Sequence, residues 1–171
     1  MDLKKYIIDV ADFPQKGVVF KDVTPLLNDA AAFKYTIDEL KKFVAAIGAN
    51  VIVAPEARGF LFAPALAYAT DTRFVLVRKP GKLPRAVHDV AYALEYGSGH
   101  LQMHVGDLRP GDKVVIIDDV LATGGTMNGI VQLCEMEQDV TVVGIACLID
   151  LSFLHDDSIP NKYQTKALIT Y

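Results

Sequence analysis

The stretch Val114, Val115, Ile116, Ile117, Asp118, Asp119, Val120, Leu121, Ala122, Thr123, Gly124, Gly125, Thr126 constrains this chain more than any other. Four successive β-branched residues fit a strand buried on both faces, the habit of a parallel sheet with helices on either side. Ligands of such open sheets collect at the carboxyl ends of the strands, and Asp118 and Asp119 stand at that end of this run. Residues 122–126 then offer small side chains, two glycines that admit an anion close to the backbone, two hydroxyls, and N–H groups at the start of a helix. A phosphate suits that cradle. The carboxylates would repel the phosphate itself, so they are expected to meet sugar hydroxyls or Mg2+ beside it. A Walker B strand has a similar look but needs a Gly-x-x-x-x-Gly-Lys-Ser/Thr partner, and no such string occurs.

The rest of the chain keeps the same rhythm. Phe33, Ile37, Leu40, Val44 and Ile47 recur at intervals of four and three, which predicts one face of a helix capped near Asn28 and stopped by Gly48. Strands are expected at 51–54, 74–77, 114–117 and 141–149, separated by segments of helical length. The expectation is an α/β fold: a single domain over residues 1–171 with a mostly parallel central sheet flanked by helices. Between Arg78 and Asp112 the rhythm breaks, and prolines and glycines punctuate two short strand-like pieces, 90–95 and 100–105. An insertion of that length in a compact domain reads as a lid, here about 79–105.

Composition narrows the function classes. A net charge of −4 argues against a nucleic-acid coat protein, so any anion site must be local. Cys134 and Cys147 lack metal-ligand spacing and read as buried small hydrophobes, which suits a reducing cytoplasm. No run approaches eighteen uncharged apolar residues, so neither secretion nor membrane spanning is expected. His88, His100, His104 and His155 show no ligand spacing and are expected in hydrogen-bonded or surface roles, and Asp89 is expected to be solvated.

The 114–126 stretch resembles the signature by which type I phosphoribosyltransferases bind 5-phosphoribosyl 1-pyrophosphate (PRPP). Three further stretches resemble the adenine-using branch of that family: Asp12-Phe13-Pro14 with Gly17-Val18-Val19-Phe20-Lys21-Asp22; Ala57-Arg58-Gly59-Phe60; and Arg78-Lys79-Pro80-Gly81-Lys82-Leu83-Pro84 followed by Leu94-Glu95-Tyr96-Gly97. The resemblance implies the family fold, with a small N-terminal hood over about 1–27 and a flexible lid. It implies salvage of adenine: adenine and PRPP give AMP and pyrophosphate, with Mg2+ as cofactor, in a cytoplasmic homodimer that binds neither nucleic acid nor membrane.

Site residues follow from chemistry and resemblance together. Asp118 and Asp119 would hold the ribose hydroxyls, with Mg2+ carried mainly by substrate and water nearby. Ala122, Thr123, Gly124, Gly125 and Thr126 would hold the 5-phosphate. Arg78, Lys79 and Lys82 cluster after a core strand where positive charge can meet a pyrophosphate, and Arg58 opens a second junction of that kind. The resemblance adds a cis peptide at Ala57–Arg58, a role for Arg58 in catalysis and at the base, and Val19 and Phe20 as base ligands. From composition alone Phe20 could equally be a packing anchor. Glu95, beside Tyr96 in the lid, is the expected proton-transfer residue. Two alternatives remain at this point: a branch that uses hypoxanthine, guanine or xanthine, and a purine-sensing regulator, which would carry a DNA-binding extension not seen here.

Overall fold

The protein is described from a computed structural model covering residues 1–93, 98–156 and 158–171. Five parallel strands form the central sheet: Val51–Pro55 (β3), Arg73–Val77 (β4), Lys113–Leu121 (β7), Thr141–Asp150 (β8) and Gln164–Thr170 (β9), in the order β4-β3-β7-β8-β9. Two antiparallel pairs stand apart from it. Ile8–Ala11 (β1) pairs with Val19–Asp22 (β2), and Val87–Ala93 (β5) pairs with Ser98–His104 (β6).

The period-2 alternation of a strand explains how one sheet supports two cores. Ile52, Ala54, Val115 and Ile117 face a layer built on the helices Ala30–Ile47 (α2), which follows the short helix Thr24–Leu27 (α1), and Ala63–Thr70 (α3), where Leu40, Val44, Phe62 and Leu66 are buried. Val51, Val53, Val114 and Ile116 face the other way, onto Met127, Ile130 and Leu133 of the helix Gly125–Glu135 (α4) and onto Leu101 and Met103 of β6. The β5–β6 pair is therefore docked on α4, the helix that begins at the glycine loop.

The helix expected around Phe33 is α2. Its N-cap is Asp29, one residue beyond Asn28, because the Asp29 side chain accepts the Ala32 N–H at 2.8 Å. Gly48 at φ 66° ends it. The strand carrying the aspartates is longer than expected: β8 runs alongside it, so pairing continues through Asp118 to Leu121. The lid strands pair as Val87–Ala93 with Ser98–His104, slightly earlier than the sequence pattern suggested. β9 was not expected from the sequence, since Gln164, Lys166 and two threonines break its apolar pattern at the sheet edge.

Candidate active site

Three neighbouring strand ends, those of β3, β7 and β8, converge on one region. β7 delivers Asp118 and Asp119, then Ala122 to Gly124 turn the chain into α4. Gly124 sits at φ 84°, a left-handed conformation that a side chain would strain, and it opens the helix without a side-chain cap. The first-turn N–H groups of α4 are thereby left free for a ligand. Arg58, Asp118 and residues Val120 to Met127 together line a cavity of about 140 Å³.

Asp118 and Asp119 are 9% and 2% exposed. Asp118 Oδ1 accepts the Asp119 backbone N–H at 2.8 Å. Burial, reinforced by the neighbouring Asp119 charge, pushes the Asp118 carboxyl well above the usual carboxylate range. Burial raises Asp119 as well, opposed by the charge of Arg58. Arg58 Nε lies 2.9 Å from Asp119 Oδ2 as an ion pair, yet its N–H is not aligned on that oxygen, which accepts no hydrogen bond among the described residues.

Arg58 belongs to a second, larger cavity too. This one, of about 490 Å³, is lined by Val19, Phe20 and Lys21 on one side, Leu151, Phe153 and Leu154 on the other, with Arg58, Val120 and Ala122 between them. The Arg58 guanidinium carbon lies 5.2 Å from the Phe20 ring centroid, and Phe13 meets Phe20 edge to face at 5.1 Å. Phe20 is thus a cavity wall. The residue after Arg58 has no room for a side chain, because a Cβ on Gly59 would meet Pro55 Cδ at 2.9 Å and the Ile117 carbonyl at 3.0 Å.

Two expectations need correction or refinement here. The non-proline cis peptide is Glu56–Ala57, not Ala57–Arg58. Glu56 still donates its N–H to the Val77 carbonyl at 2.9 Å, so pairing with β4 runs beyond the expected end of the strand at residue 54. Arg78 is not a free cation. Its Nε and an η nitrogen donate to Glu56 Oε2 at 2.9 and 2.7 Å, while the Lys79 backbone N–H donates to Glu56 Oε1 at 2.8 Å. Lys79 and Lys82 follow on the turn that Glu56 braces, and neither they nor Arg78 line the two cavities. Glu95 and Tyr96 lie outside the described residues.

The sequence reading passed over Leu151, Phe153 and Leu154, and also Glu56. The signal that could have found the first three is their place directly after β8, another strand end on the ligand side of the sheet. The histidines are hydrogen-bonded as expected: His88 to Glu137, His100 to Asp89, His104 to the Ala86 carbonyl and His155 to Asp150. Asp89 is exposed as expected, and it also receives the Gln102 amide; these partners, His100 first, lower its pKa. Cys134 and Cys147 are free and buried, and burial pushes the Cys134 thiol up to about 12 and Cys147 higher still.

Comparison with known proteins agrees with this arrangement. The family described as "Phosphoribosyl transferase domain" matches residues 26–163. The adenine phosphoribosyltransferase of Mesoplasma florum is 65% identical over 171 residues, covering all of both chains. The chain belongs to the adenine phosphoribosyltransferases. Among solved members, the crystal structure from Thermoanaerobacter pseudethanolicus superposes with a TM-score of 0.94 at 44% identity, covering 99% of this chain and 98% of that one. The Saccharomyces cerevisiae enzyme, solved with adenine and an imino-altritol bisphosphate, is 32% identical with a TM-score of 0.87, covering 97% and 94%. The chain therefore shares its fold with these solved members of the family.

Proposed function

We propose that this chain transfers the phosphoribosyl group of PRPP to N9 of adenine, releasing pyrophosphate and forming AMP. The single observation that carries the reading is Arg58, which faces an apolar cleft wide enough for a base on one side and the glycine-loop cavity on the other. A flat, mostly apolar ligand and a phosphorylated sugar would thus meet over one residue.

In this reading the α4 N-terminus and residues 122–126 hold the 5-phosphate, and Asp118 meets the ribose hydroxyls. Val19 and Phe20 hold the base, with Arg58 over Phe20. Lys79 and Lys82 receive the pyrophosphate from a turn that the Glu56–Arg78 pair keeps in place, and the part of the 79–105 lid outside the core-packed β6 residues Leu101 and Met103 excludes water that would otherwise hydrolyse PRPP. C1 is an anomeric centre, so its transition state carries oxocarbenium character that buried carboxylates favour. Glu95 exchanges a proton with the base.

The donor set also fits Mg2+. Two hard carboxylates lie together, one of them with a buried oxygen that accepts no hydrogen bond among the described residues. Those residues contain no cluster of three or more protein ligands, so substrate oxygens and water would complete the shell. Bound there, the ion would neutralise charge on the departing pyrophosphate. The reading includes a reducing cytoplasm, where Cys134 and Cys147 stay free thiols, and a pair of identical subunits as the family resemblance implies.

The test is direct. Purified protein incubated with adenine, PRPP and Mg2+ should form AMP and pyrophosphate, and AMP formation should stop on chelation of the metal. Absence of AMP with metal present would overturn the reading.

A second expectation concerns Asp118. The buried charge costs stability, because a carboxyl whose folded pKa is raised binds its proton more tightly in the folded state. That contribution is present below the unfolded pKa and is lost as pH rises through the folded one. Asp118→Asn is therefore expected to raise Tm at pH 8 and to change it less at pH 4. It should also weaken PRPP binding by about 1.5–3 kcal/mol, the worth of one charged hydrogen bond. Calorimetry reads both effects, and a variant with unchanged PRPP affinity would remove Asp118 from the site.

A further inference from the structure

The two walls of the larger cavity come from distant parts of the chain. One is the β1–β2 pair, and a two-stranded pair is marginal by itself. It is mostly exposed, so its position over the cavity must be set from outside. The other wall is the turn after β8, held by the Leu151 N–H on the Leu121 carbonyl and the Leu154 N–H on the Leu151 carbonyl, both at 2.9 Å.

Tyr171 touches both. Its backbone serves the turn: its N–H donates to the Asp150 carbonyl at 2.9 Å, and its carbonyl accepts the Ser152 hydroxyl at 2.8 Å. Its ring serves the hairpin. Lys21 of β2 sets its ammonium 4.0 Å from the Tyr171 ring centroid, and Lys4 sets another at 4.7 Å. The Lys21 side chain is only 10% exposed, and its ammonium is held from the hairpin side by both oxygens of Asp9 at 2.8 Å. A cation withdrawn from water over an aromatic face is the strong form of this contact, and here it lies directly beside residues that line the cleft.

We propose that Tyr171 is a positioning residue for the base: through its ring on Lys21 and its backbone on the 150–152 turn, it sets the spacing of the two walls between which the base is gripped. Tyr171 lines neither cavity, so it acts through the walls rather than on the ligand. The inference rests on the reading of the larger cavity as the base site.

Steady-state kinetics of single and double variants test it. Tyr171→Leu should raise KM for adenine about tenfold, the range expected for loss of a desolvated cation–π contact, while KM for PRPP and kcat stay within twofold. Tyr171→Phe keeps the ring and should restore the parent value. Lys21→Met breaks the same link from the other side, but Lys21 also lines the cleft, so its effect counts only through the double variant; Tyr171→Met serves if Tyr171→Leu does not accumulate as folded protein. The double variant should be no worse than the more affected single one, because both remove one coupling. Additive effects, an adenine KM unchanged in both single variants, an equal rise in KM for PRPP, or a Tyr171→Phe as impaired as Tyr171→Leu would each overturn the strut while leaving the site reading intact. A parent protein that forms no AMP from adenine overturns that reading and this inference together.

Discussion

Offered adenine, hypoxanthine, guanine and xanthine at equal concentration with PRPP and Mg2+, the protein is expected to release AMP almost alone. The segment from Gly17 to Lys21 lines the larger cavity, and it resembles a hood that offers backbone acceptors to the amino group at the purine 6-position. Hypoxanthine and guanine carry a carbonyl there. Two acceptors facing each other in a cleft walled by Phe20, Leu151 and Val120 would leave both without a partner and short of water. A site built to receive an N–H rejects the analogue lacking it by as much as about 10⁴-fold. Chromatography of the nucleotides decides the matter. IMP, GMP or XMP as the main product would overturn the base assignment and leave the PRPP half of the site standing.

Glu95→Ala is the second large effect expected. The residue is assigned from Leu94-Glu95-Tyr96-Gly97, which lies outside the described residues, so the expectation rests on chemistry and resemblance. A group that exchanges a proton with the base during bond formation contributes about 10²- to 10⁴-fold to turnover, or roughly 3–5 kcal/mol. It contributes little to the binding of PRPP. Turnover of Glu95→Ala should fall by that factor while PRPP affinity, read by calorimetry, stays near the parent value. A variant within threefold of parental turnover would exclude Glu95 from the chemical step.

The legible part of this fold is the part written in local pattern. Val114 to Ile117 form a buried parallel strand because nothing but β-branched residues occupies the run, and Phe33 to Ile47 form a helix because the apolar spacing and Gly48 leave little else. The glycine loop was legible for a similar reason, since its chemistry is carried by adjacent residues. What escaped is set by partners far along the chain. Arg78 reads as a free cation until Glu56, 22 residues away, is found to grip it. Leu151, Phe153 and Leu154 carry no local motif and line the cleft only together with the distant β1–β2 pair. The edge strand β9 carries polar residues on an exposed margin, so its sequence shows no strand period.

Arg58 leaves one consequence of a different kind. A single guanidinium stands against Asp119 at 2.9 Å and over the Phe20 ring at 5.2 Å, so the same group answers to both cavities. A sugar phosphate bound beside Asp119 is therefore expected to change how Arg58 sits on the aromatic wall. Linkage then works in both directions with equal weight: whatever factor one substrate applies to the affinity of the other is returned unchanged. Any coupling between the two ligands is therefore expected to pass through one arginine, and substituting Arg58 should weaken it.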